Sequence, residues 1–517
     1  MPDETSLSEN ENLPMPSLIM AILPIVLTLG LLLVQLVVFK DFTPHIPLAF
    51  GIVITGLFAL TRGYVWRDME AGIFGVIFIG LQSVAILMTV GMIVGTWILS
   101  GTVPMMIYYG LQLITPGLFL VVAMVICAIV SLATGTSWGT TGTLGIALVG
   151  IGTGLGIPMH FVGGAVVSGA FFGDKMSPLS DTTNLAPAVC GTDLFSHIHN
   201  MMATTMPAMV VSLILYFIIG LNYTSGTIDA QGIEVYTTKI SETFFLSPLL
   251  LLPALVVIGL AMKRFPAIPT LFAGVMAGSL TAIIAQGASI HEVFVAMQSG
   301  YISTTGVASV DSLLSKGGIQ SMMWVTSLMI IALGFGGILE KTRCLEVILN
   351  SILARAKGRF GIIAASMGVS VGTNLVAGDP YLSIALPGRM FAPAYRGIGL
   401  STKNLSRAVE DGGTLISPLV PWNAGGAYVA GVLGIETVVY APFAFACWLS
   451  PLFGLLWAAT GKFVPKATEE EKAGWVENSE PIIIDGELVA CSATVLDASV
   501  DTQTEKPPVD LAVSLQS

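Results

Sequence analysis

Apolar runs long enough to cross a lipid bilayer recur along most of this 517-residue chain. A membrane-spanning helix needs about 20 consecutive, mainly apolar residues. Only 10% of the residues are charged, whereas soluble domains carry roughly a quarter. We therefore predict one membrane-embedded helical body and not a series of soluble domains.

Ten of these runs are predicted to be transmembrane helices. The first is interpreted as a helix and not as a cleavable signal peptide, because the polar stretch before it contains no Lys or Arg. The predicted spans are residues 18–39, 46–61, 72–99, 117–134, 199–221, 243–262, 267–286, 321–340, 361–378 and 438–458.

Two further intervals, residues 131–195 and 370–434, are apolar but not continuous helices by sequence. Gly, Ser, Thr, Asn and Pro interrupt them where a helix would carry Leu or Ile. Non-helical backbone at membrane depth is tolerated only where protein or a water-filled cavity satisfies its amides and carbonyls. The predicted fold class is an all-α polytopic membrane protein with about 10–12 transmembrane segments, re-entrant hairpins and broken helices.

The two interrupted intervals resemble each other, which predicts that the chain consists of two homologous halves. Ser131–Thr134 is similar to Ser370–Thr373, and Ser177–Leu179 recurs as Ser417–Leu419 at almost the same spacing. We therefore expect each half to contain one re-entrant hairpin and one broken helix.

Basic residues predict that the two halves have opposite orientations in the membrane. No Lys or Arg occurs between Asp68 and Asp174, whereas the matching part of the second half is rich in both. Because Lys and Arg mark cytoplasmic loops, equivalent loops face opposite sides, as inverted-topology repeats require.

This topology predicts that both termini are cytoplasmic. The predicted segments are an acidic cytoplasmic tail (1–17), a first membrane repeat (18–221), an external linker (222–242), a second membrane repeat (243–461) and an acidic, disordered cytoplasmic tail (462–517).

Ionisable groups inside a bilayer are costly, so the few acids in the apolar body are candidates for function. The first interval combines carboxylates with hydroxyl and amide oxygens, the ligands that a small hard cation prefers. A carboxylate that accepts either Na+ or H+ provides a shared, mutually exclusive site. The first-repeat candidates are Asp174 and Asp181 as first choices, with Ser177, Thr182, Asn184, Ser137 and Thr140.

Other roles for these residues stay open. Ser and Thr hydroxyls can instead bond back to helix carbonyls. Pro178 favours an unwound segment between Asp174 and Asp181. Lys175 is either a counter-ion that keeps a carboxylate charged or a side chain that snorkels to an interface.

The second interval predicts an asymmetric site in which one half binds the cation and the other completes it or lines the path. Arg389, Arg396 and Arg407 are interpreted as markers of the inside face and not as substrate ligands. The second-repeat candidates are Thr373, Asn374, Asp379, Glu410, Asp411 and Asn423. Glu410 and Asp411 resemble Asp174 imperfectly, because Asp411 lies six residues before Ser417 and Asp174 only three before Ser177.

Two motifs resemble a known family. The segments Gly173–Pro187 and Gly191–Asp193, together with Glu410–Gly413 and Ser417–Asn423, are similar to the signature of NhaC-type Na+/H+ antiporters. The resemblance covers the membrane body but not the tails. It implies an inner-membrane secondary transporter of the ion-transporter superfamily, whose relatives include sodium-linked exchangers of malate and lactate.

The leading functional prediction is exchange of Na+ for H+ by alternating access at a shared carboxylate site. The alternatives are Na+- or H+-coupled exchange of small organic anions or amino acids, and a passive ion channel. No phosphate-binding loop and no nucleophile–base pair stand out, so we predict neither ATP-driven transport nor an enzyme. The formal charge of −11 disfavours nucleic acid as a partner. The predicted partners are Na+, H+ and lipid, without a cofactor; an organic anion and a homodimer stay open.

Overall fold

The computed structural model describes residues 15–39, 43–223, 230–263, 265–477, 482–484 and 487–490. Almost all of the predicted N-terminal tail, residues 1–17, lies outside the described residues. The chain forms two compact units, of which the first ends at Val464 and the second starts at Pro465.

The first unit is built of α-helices. In chain order they are α1 (Leu18–Val37), α2 (His45–Leu60), α3 (Trp66–Leu99), α4 (Thr102–Leu113), α5 (Pro116–Thr134), α6 (Ser137–Thr140), α7 (Ile146–Gly154), α8 (Met159–Met176), α9 (Asp181–Cys190), α10 (Leu194–Leu221), α11 (Ala230–Thr243), α12 (Leu252–Met262), α13 (Ala267–Gln286), α14 (Ile290–Ser299), α15 (Ala308–Leu314), α16 (Met323–Lys341), α17 (Cys344–Arg355), α18 (Gly358–Ala377), α19 (Pro380–Gly397), α20 (Lys403–Gly413), α21 (Ala424–Leu433), α22 (Thr437–Tyr440) and α23 (Phe445–Thr460).

Short helical turns connect several of these helices. Thr141–Gly145 forms a π-helical turn between α6 and α7, and Pro248–Leu251, Ile319–Met322, Ser417–Leu419 and Ala441–Phe443 form 3-10 turns. In the second unit, α24 (Glu469–Glu477) is followed by the antiparallel strands β1 (Ile482–Ile484) and β2 (Glu487–Ala490).

Every predicted span contains a helix. Among the described residues, seven helices are long and apolar enough to cross a membrane, or up to nine if each of two sharply bent helix pairs is one span. Shorter apolar helices occupy His45–Leu60 and Phe445–Thr460. The prediction of an all-α polytopic membrane protein is therefore confirmed. One difference is α11, which covers most of the predicted linker.

Glycine ends a helix near the start of each interrupted interval. Gly135 follows α5 with φ +71°, and Gly378 follows α18 with φ +65°. A left-handed residue stops the helix, and Gly adopts that conformation without strain. The next residues, Thr136 and Asp379, accept hydrogen bonds from the first turns of α6 and α19 and start those helices.

The chain reverses direction at both breaks. A Cβ on Gly152 in α7 would lie 3.2 Å from the ring of Phe119, near the start of α5. In the second half, the Ser366 hydroxyl in α18 lies 2.8 Å from the Tyr395 hydroxyl near the end of α19. The predicted hairpins and broken helices are therefore present.

Equivalent hydrogen bonds join the helices of the two halves. Ser131 Oγ in α5 donates to the carbonyl of Ala170 in α8 at 2.6 Å. Ser370 Oγ in α18 donates to the carbonyl of Val409 in α20 at 3.2 Å. The pair α5 and α8 thus matches the pair α18 and α20, as homologous halves predict. Their inverted orientation in a membrane stays a prediction.

Candidate functional site

The two broken helices of the first repeat meet at what we call the first crossing, residues 132–137 and 174–181. Pro178 cannot continue α8, because it has no amide hydrogen. The Ser177 hydroxyl donates to the carbonyl of Leu132 at 2.8 Å. A Cβ on Gly135 would lie 2.6 Å from that of Leu179, so only glycine allows the two breaks to approach this closely.

Asp174 lies in the last turn of α8 and is 8% exposed. The Ser137 hydroxyl donates to its Oδ2 at 2.6 Å. The Thr183 hydroxyl lies 3.2 Å from the carbonyl of Asp174 and 3.0 Å from that of Lys175, so it caps the end of α8. Two residues predicted from separate motifs, Asp174 and Ser137, are therefore in direct contact.

A cavity of about 450 Å³ adjoins the first crossing. Asp174 is buried at its wall, whereas Asp181 is exposed. Residues from the second repeat, among them Pro380, Tyr381, Thr414 and Ser417, complete it. The first-repeat candidates that line this cavity are Asp174, Asp181, Asn184, Thr182, Ser137 and Thr140.

Not every predicted polar group is available to a cation. Ser177 is absent from the cavity lining and is bonded to the Leu132 carbonyl. Thr140 Oγ1 donates to the carbonyl of Thr136 at 2.9 Å, although its oxygen can still accept. Asn184 Nδ2 donates to the carbonyls of Pro178 and Ser180 at 2.9 and 2.7 Å, although its Oδ1 can still accept. Asp174, Asp181 and Ser137 thus remain the strongest candidates for ligands.

The charge of the cavity has one sign. Its lining residues in the described part of the chain include the carboxylates Asp174 and Asp181 but no Lys, Arg or His. Lys175 follows Asp174 directly, but its ammonium bonds to Asp411 and Ser450 on another side of α8. A cation entering this cavity meets carboxylates and other oxygen atoms, whereas the described lining residues offer an anion no positive side chain.

The second repeat has a corresponding crossing, residues 374–380 and 412–424, but amide groups fill it. Asn374 Nδ2 donates to the carbonyls of Gly412 and Gly413 at 2.8 and 2.7 Å. Asn423 Nδ2 donates to Asn374 Oδ1 at 2.8 Å. These amides satisfy the carbonyls at the end of α20 that a cation would otherwise approach.

The six second-repeat candidates do not line the cavity. Thr373 Oγ1 donates to the carbonyl of Val369 in its own helix at 2.9 Å. Asp379 accepts from the Leu382 amide at 2.7 Å and caps α19. Glu410 accepts from Thr414 Oγ1 at 2.7 Å. The other three candidates, Asn374, Asp411 and Asn423, bond to groups of the protein itself.

Asp411 is not the structural counterpart of Asp174. Gly173 packs on α5 with its Cβ position 2.3 Å from the Ala128 carbonyl, and Gly412 packs on α18 with its Cβ position 2.7 Å from the Met367 carbonyl. Because these glycines are equivalent, Gly413 takes the place of Asp174. Asp411 lies two residues before Gly413, so its similarity to Asp174 in the sequence does not reflect equivalent positions.

Buried charges occupy the interface between the halves. Lys175 forms an ion pair with Asp411, so the counter-ion role is correct but its partner is in the other repeat. Arg407 is 2% exposed, and its guanidinium donates to Asn200 Oδ1 at 3.2 Å and to the Phe463 carbonyl at 2.9 Å. Arg407 is therefore buried in α20, and its use as a marker of the inside face stays a prediction.

Aromatic side chains that the sequence interpretation missed close one wall of the cavity. Trp138 lines the cavity and stacks on Tyr428 of α21, with ring centroids 4.3 Å apart and 16° between the planes. Tyr428 OH donates to the Trp138 carbonyl at 2.6 Å. Elsewhere the lining reaches Phe265 and Pro266, which are exposed. Only the spatial pairing, and no local motif, identifies the contact between Trp138 and Tyr428.

One pattern in the first crossing also occurs in hydrolases. Gly135–Gly139 has the form Gly-x-Ser-x-Gly, which in such enzymes places a nucleophilic serine between a strand and a helix. Here the helix α5 precedes it, and the serine hydroxyl donates to Asp174. The described residues that line the adjoining cavity include no His, the usual base of a serine hydrolase.

A protein-family model and several known proteins match this chain. The model of the Na+/H+ antiporter family matches residues 169–462. The chain is 44% identical to the Na(+)/H(+) antiporter NhaC of Alkalihalophilus pseudofirmus over 424 residues, which are 81% of this chain and 91% of that protein.

Two further relatives are named for other transport activities. The Malate-2H(+)/Na(+)-lactate antiporter of Bacillus subtilis is 37% identical over 443 residues, which are 85% of this chain and 95% of that protein. The Arginine/ornithine antiporter ArcD of Halobacterium salinarum is 38% identical over 462 residues, which are 88% of this chain and 94% of that protein. Proteins that resemble this chain over most of its length are therefore named for several different substrates.

Proposed function

Because the chain belongs to the Na+/H+ antiporter family, we propose that it exchanges Na+ for H+ across the cell membrane at the Asp174 carboxylate. Asp181 and the Ser137 hydroxyl assist, since both line the same cavity. The ion gradients drive the exchange, so it requires no cofactor.

The observation that carries this proposal is the composition of the cavity wall. Two carboxylates and several hydroxyls line it, and Asp174 and Ser137 are 2.6 Å apart. Small hard cations prefer such oxygen ligands. A dicarboxylate or a hydroxy acid would need positive charge, which the described lining residues lack. This favours a cation over malate or lactate as the substrate.

Exchange follows from the cost of a bare charge in the membrane. An ionised carboxylate at that depth is unfavourable unless a cation or a proton neutralises it. Na+ and H+ compete for the same oxygens of Asp174, and Ser137 donates to the ionised form. Rearrangement between the two faces is then favourable only when Na+ or H+ is bound, so the two ions move in opposite directions and in alternation.

Alternating access requires one wall of the cavity to open while another closes. Trp138 belongs to the first repeat and Tyr428 to the second, and their contact closes the wall beside α21. The π-helical turn at Thr141–Gly145 begins three residues after Trp138, and such turns within helices are frequent at functional sites. We infer that separation of Trp138 from Tyr428 opens this wall.

Replacing Tyr428 with phenylalanine tests this role. The variant keeps the ring but loses one buried hydrogen bond, which contributes about 1 kcal/mol, so the open form should increase about fivefold. Labelling of a cysteine at Val130, which lines the cavity, by an impermeant thiol reagent measures this from each face of sealed vesicles.

The matched control is Tyr216→Phe, because Tyr216 OH donates to the Phe443 carbonyl at 2.6 Å and Tyr216 does not line the cavity. We expect Tyr428→Phe to increase labelling from the face that is slow in the parent, and Tyr216→Phe to leave it unchanged. Equal labelling in the two variants would contradict the role of the Trp138–Tyr428 contact.

Transport itself is tested in liposomes that contain the purified protein and a pH-sensitive dye. After a proton gradient is imposed, Na+, Li+, K+, malate and arginine are added in turn. We expect Na+ to collapse the gradient and malate to have no effect. Collapse by malate or arginine without any response to an alkali cation would refute the proposal, and a proton leak without any added substrate would indicate a channel.

A further inference from the structure

The buried ion pair between the repeats has the surroundings of a cation site. Lys175 and Asp411 have fully buried side chains. The Lys175 ammonium also donates to Ser450 Oγ of α23 at 3.2 Å. Ser450 Oγ donates to Asp411 Oδ1 at 2.5 Å, and Thr204 Oγ1 of α10 donates to the same oxygen at 3.4 Å. The ammonium and its carboxylate thus lie among hydroxyl oxygens from two further helices.

This set of ligands repeats the chemistry of the proposed transport site. Asp174 is joined by the hydroxyl of Ser137, and Asp411 by the hydroxyls of Ser450 and Thr204. A lysine ammonium is a compact monovalent point charge, so it can take the place of an alkali cation beside a carboxylate. The cation proposed at Asp174 is a mobile ion, whereas the cation at Asp411 is the ammonium of a side chain that is covalently attached to the protein.

A second observation indicates that Asp411 has an oxygen atom to which a cation could bind. Asp411 Oδ2 is buried and has no hydrogen-bond partner among the described residues. The neighbouring guanidinium of Arg407 does not supply one, because it donates to Asn200 and to the Phe463 carbonyl. An ammonium held by one carboxylate oxygen leaves the second oxygen free, whereas an unattached ion could bind both.

We propose that Asp411, Ser450 and Thr204 form a second monovalent-cation site, which the Lys175 ammonium fills permanently. This deepens the proposed exchange: the repeats meet at two carboxylate sites, but only the ion at Asp174 is cargo. Removal of the lysine side chain beyond Cβ vacates the ammonium position and leaves its oxygen ligands. The vacated site takes Na+.

The test counts bound ions in the purified full-length protein. Equilibrium binding of radioactive Na+ to Lys175→Ala should exceed that of the parent by one ion per chain. Lys175→Arg keeps a cation in place and should bind as the parent does, and Lys175→Ala/Asp411→Asn should lose the additional ion. Because the result is a difference, it does not depend on whether the parent binds Na+ at Asp174.

Thermal unfolding provides a second measurement. A ligand that binds only the folded state raises its stability with concentration. Replacing choline with Na+ should therefore raise the midpoint temperature of Lys175→Ala by several degrees more than that of the parent. No additional bound ion together with the same response to both salts would overturn the proposal and leave a structural ion pair.

Failure of Lys175→Ala to fold would also give a result. The variant is prepared in NaCl, where Na+ is expected to replace the ammonium. If it cannot be recovered there, whereas Lys175→Ala/Asp411→Leu can, Na+ does not substitute for the ammonium and the proposal is wrong. Loss of exchange activity alone would bear on the proposed function and not on this site.

Discussion

Replacement of Asp174 with asparagine should abolish Na+-dependent proton exchange. Asparagine has nearly the same shape and can still accept from Ser137, but it can neither release a proton nor balance the charge of Na+. We expect the initial rate of gradient collapse in liposomes to fall by at least about 100-fold, equivalent to about 2.7 kcal/mol. The dye assay at matched protein density measures this rate over a series of Na+ concentrations.

The matched control is Asp193→Asn. Asp193 is exposed and accepts from the Ser196 amide at 2.9 Å as the cap of α10. Asparagine caps helices as well as aspartate does, so this variant should exchange at the parent rate. Retention of Na+-dependent exchange in Asp174→Asn would refute the assignment of the shared site.

Two other substitutions separate the contributions of the halves. Asp181 is exposed at the cavity, so Asp181→Asn should raise the Na+ concentration needed for half-maximal rate and keep measurable exchange. Asp379 caps α19 and does not line the cavity. If Asp379→Asn were the inactive variant and Asp174→Asn the active one, the transport site would belong to the second repeat.

The helices and their breaks were predictable because each depends on local chemistry. Continuous apolar runs specify spans, and Gly135, Pro178 and Gly378 each lie directly after the end of a helix or within two residues of it. The first-repeat site was predictable for a related reason. Acids are rare in an apolar chain, so Asp174 and Asp181 were conspicuous without knowledge of their neighbours.

The features that could not be predicted from the sequence depend on contacts between distant segments. Trp138 and Tyr428, and likewise Lys175 and Asp411, are separated by more than 200 residues, and neither member of a pair identifies the other. The false match of Asp411 to Asp174 had a similar cause. Only the packing glycines reveal which residues of the two halves are equivalent.

The asymmetry of the two crossings also needed coordinates. Asn374 directs its two amide hydrogens at neighbouring carbonyls of α20, where a cation would have to provide positive charge. The first crossing has Asp174 and an adjoining cavity instead. The neutral amide of Asn374 occupies the second crossing permanently, whereas the carboxylate of Asp174 must bind a new Na+ or H+ in every transport cycle. We infer that the second repeat supports the exchange and that the first performs it.

Replacement of Gly173 with alanine should prevent assembly of the first crossing. The added Cβ would lie 2.3 Å from the Ala128 carbonyl oxygen and 2.6 Å from the Leu132 amide nitrogen, both of which are backbone atoms of α5. A flexible side chain could move aside, but two backbone contacts require α8 to separate from α5. Overpacking of this kind typically costs about 1–3 kcal/mol, and we expect the upper end.

The comparison with Gly372→Ala makes this prediction specific. Gly372 lies in α18, and a Cβ there would meet no atom within 4 Å. Since alanine is favoured over glycine in a helix by about 1 kcal/mol, that variant should be at least as stable as the parent. Thermal unfolding in detergent should therefore rank Gly372→Ala at or above the parent and Gly173→Ala far below it.

Because Asp174 follows Gly173, any Gly173→Ala protein that folds should also bind Na+ less tightly. Parent-like stability and affinity in that variant would show that the close contact of α5 and α8 does not position the carboxylate.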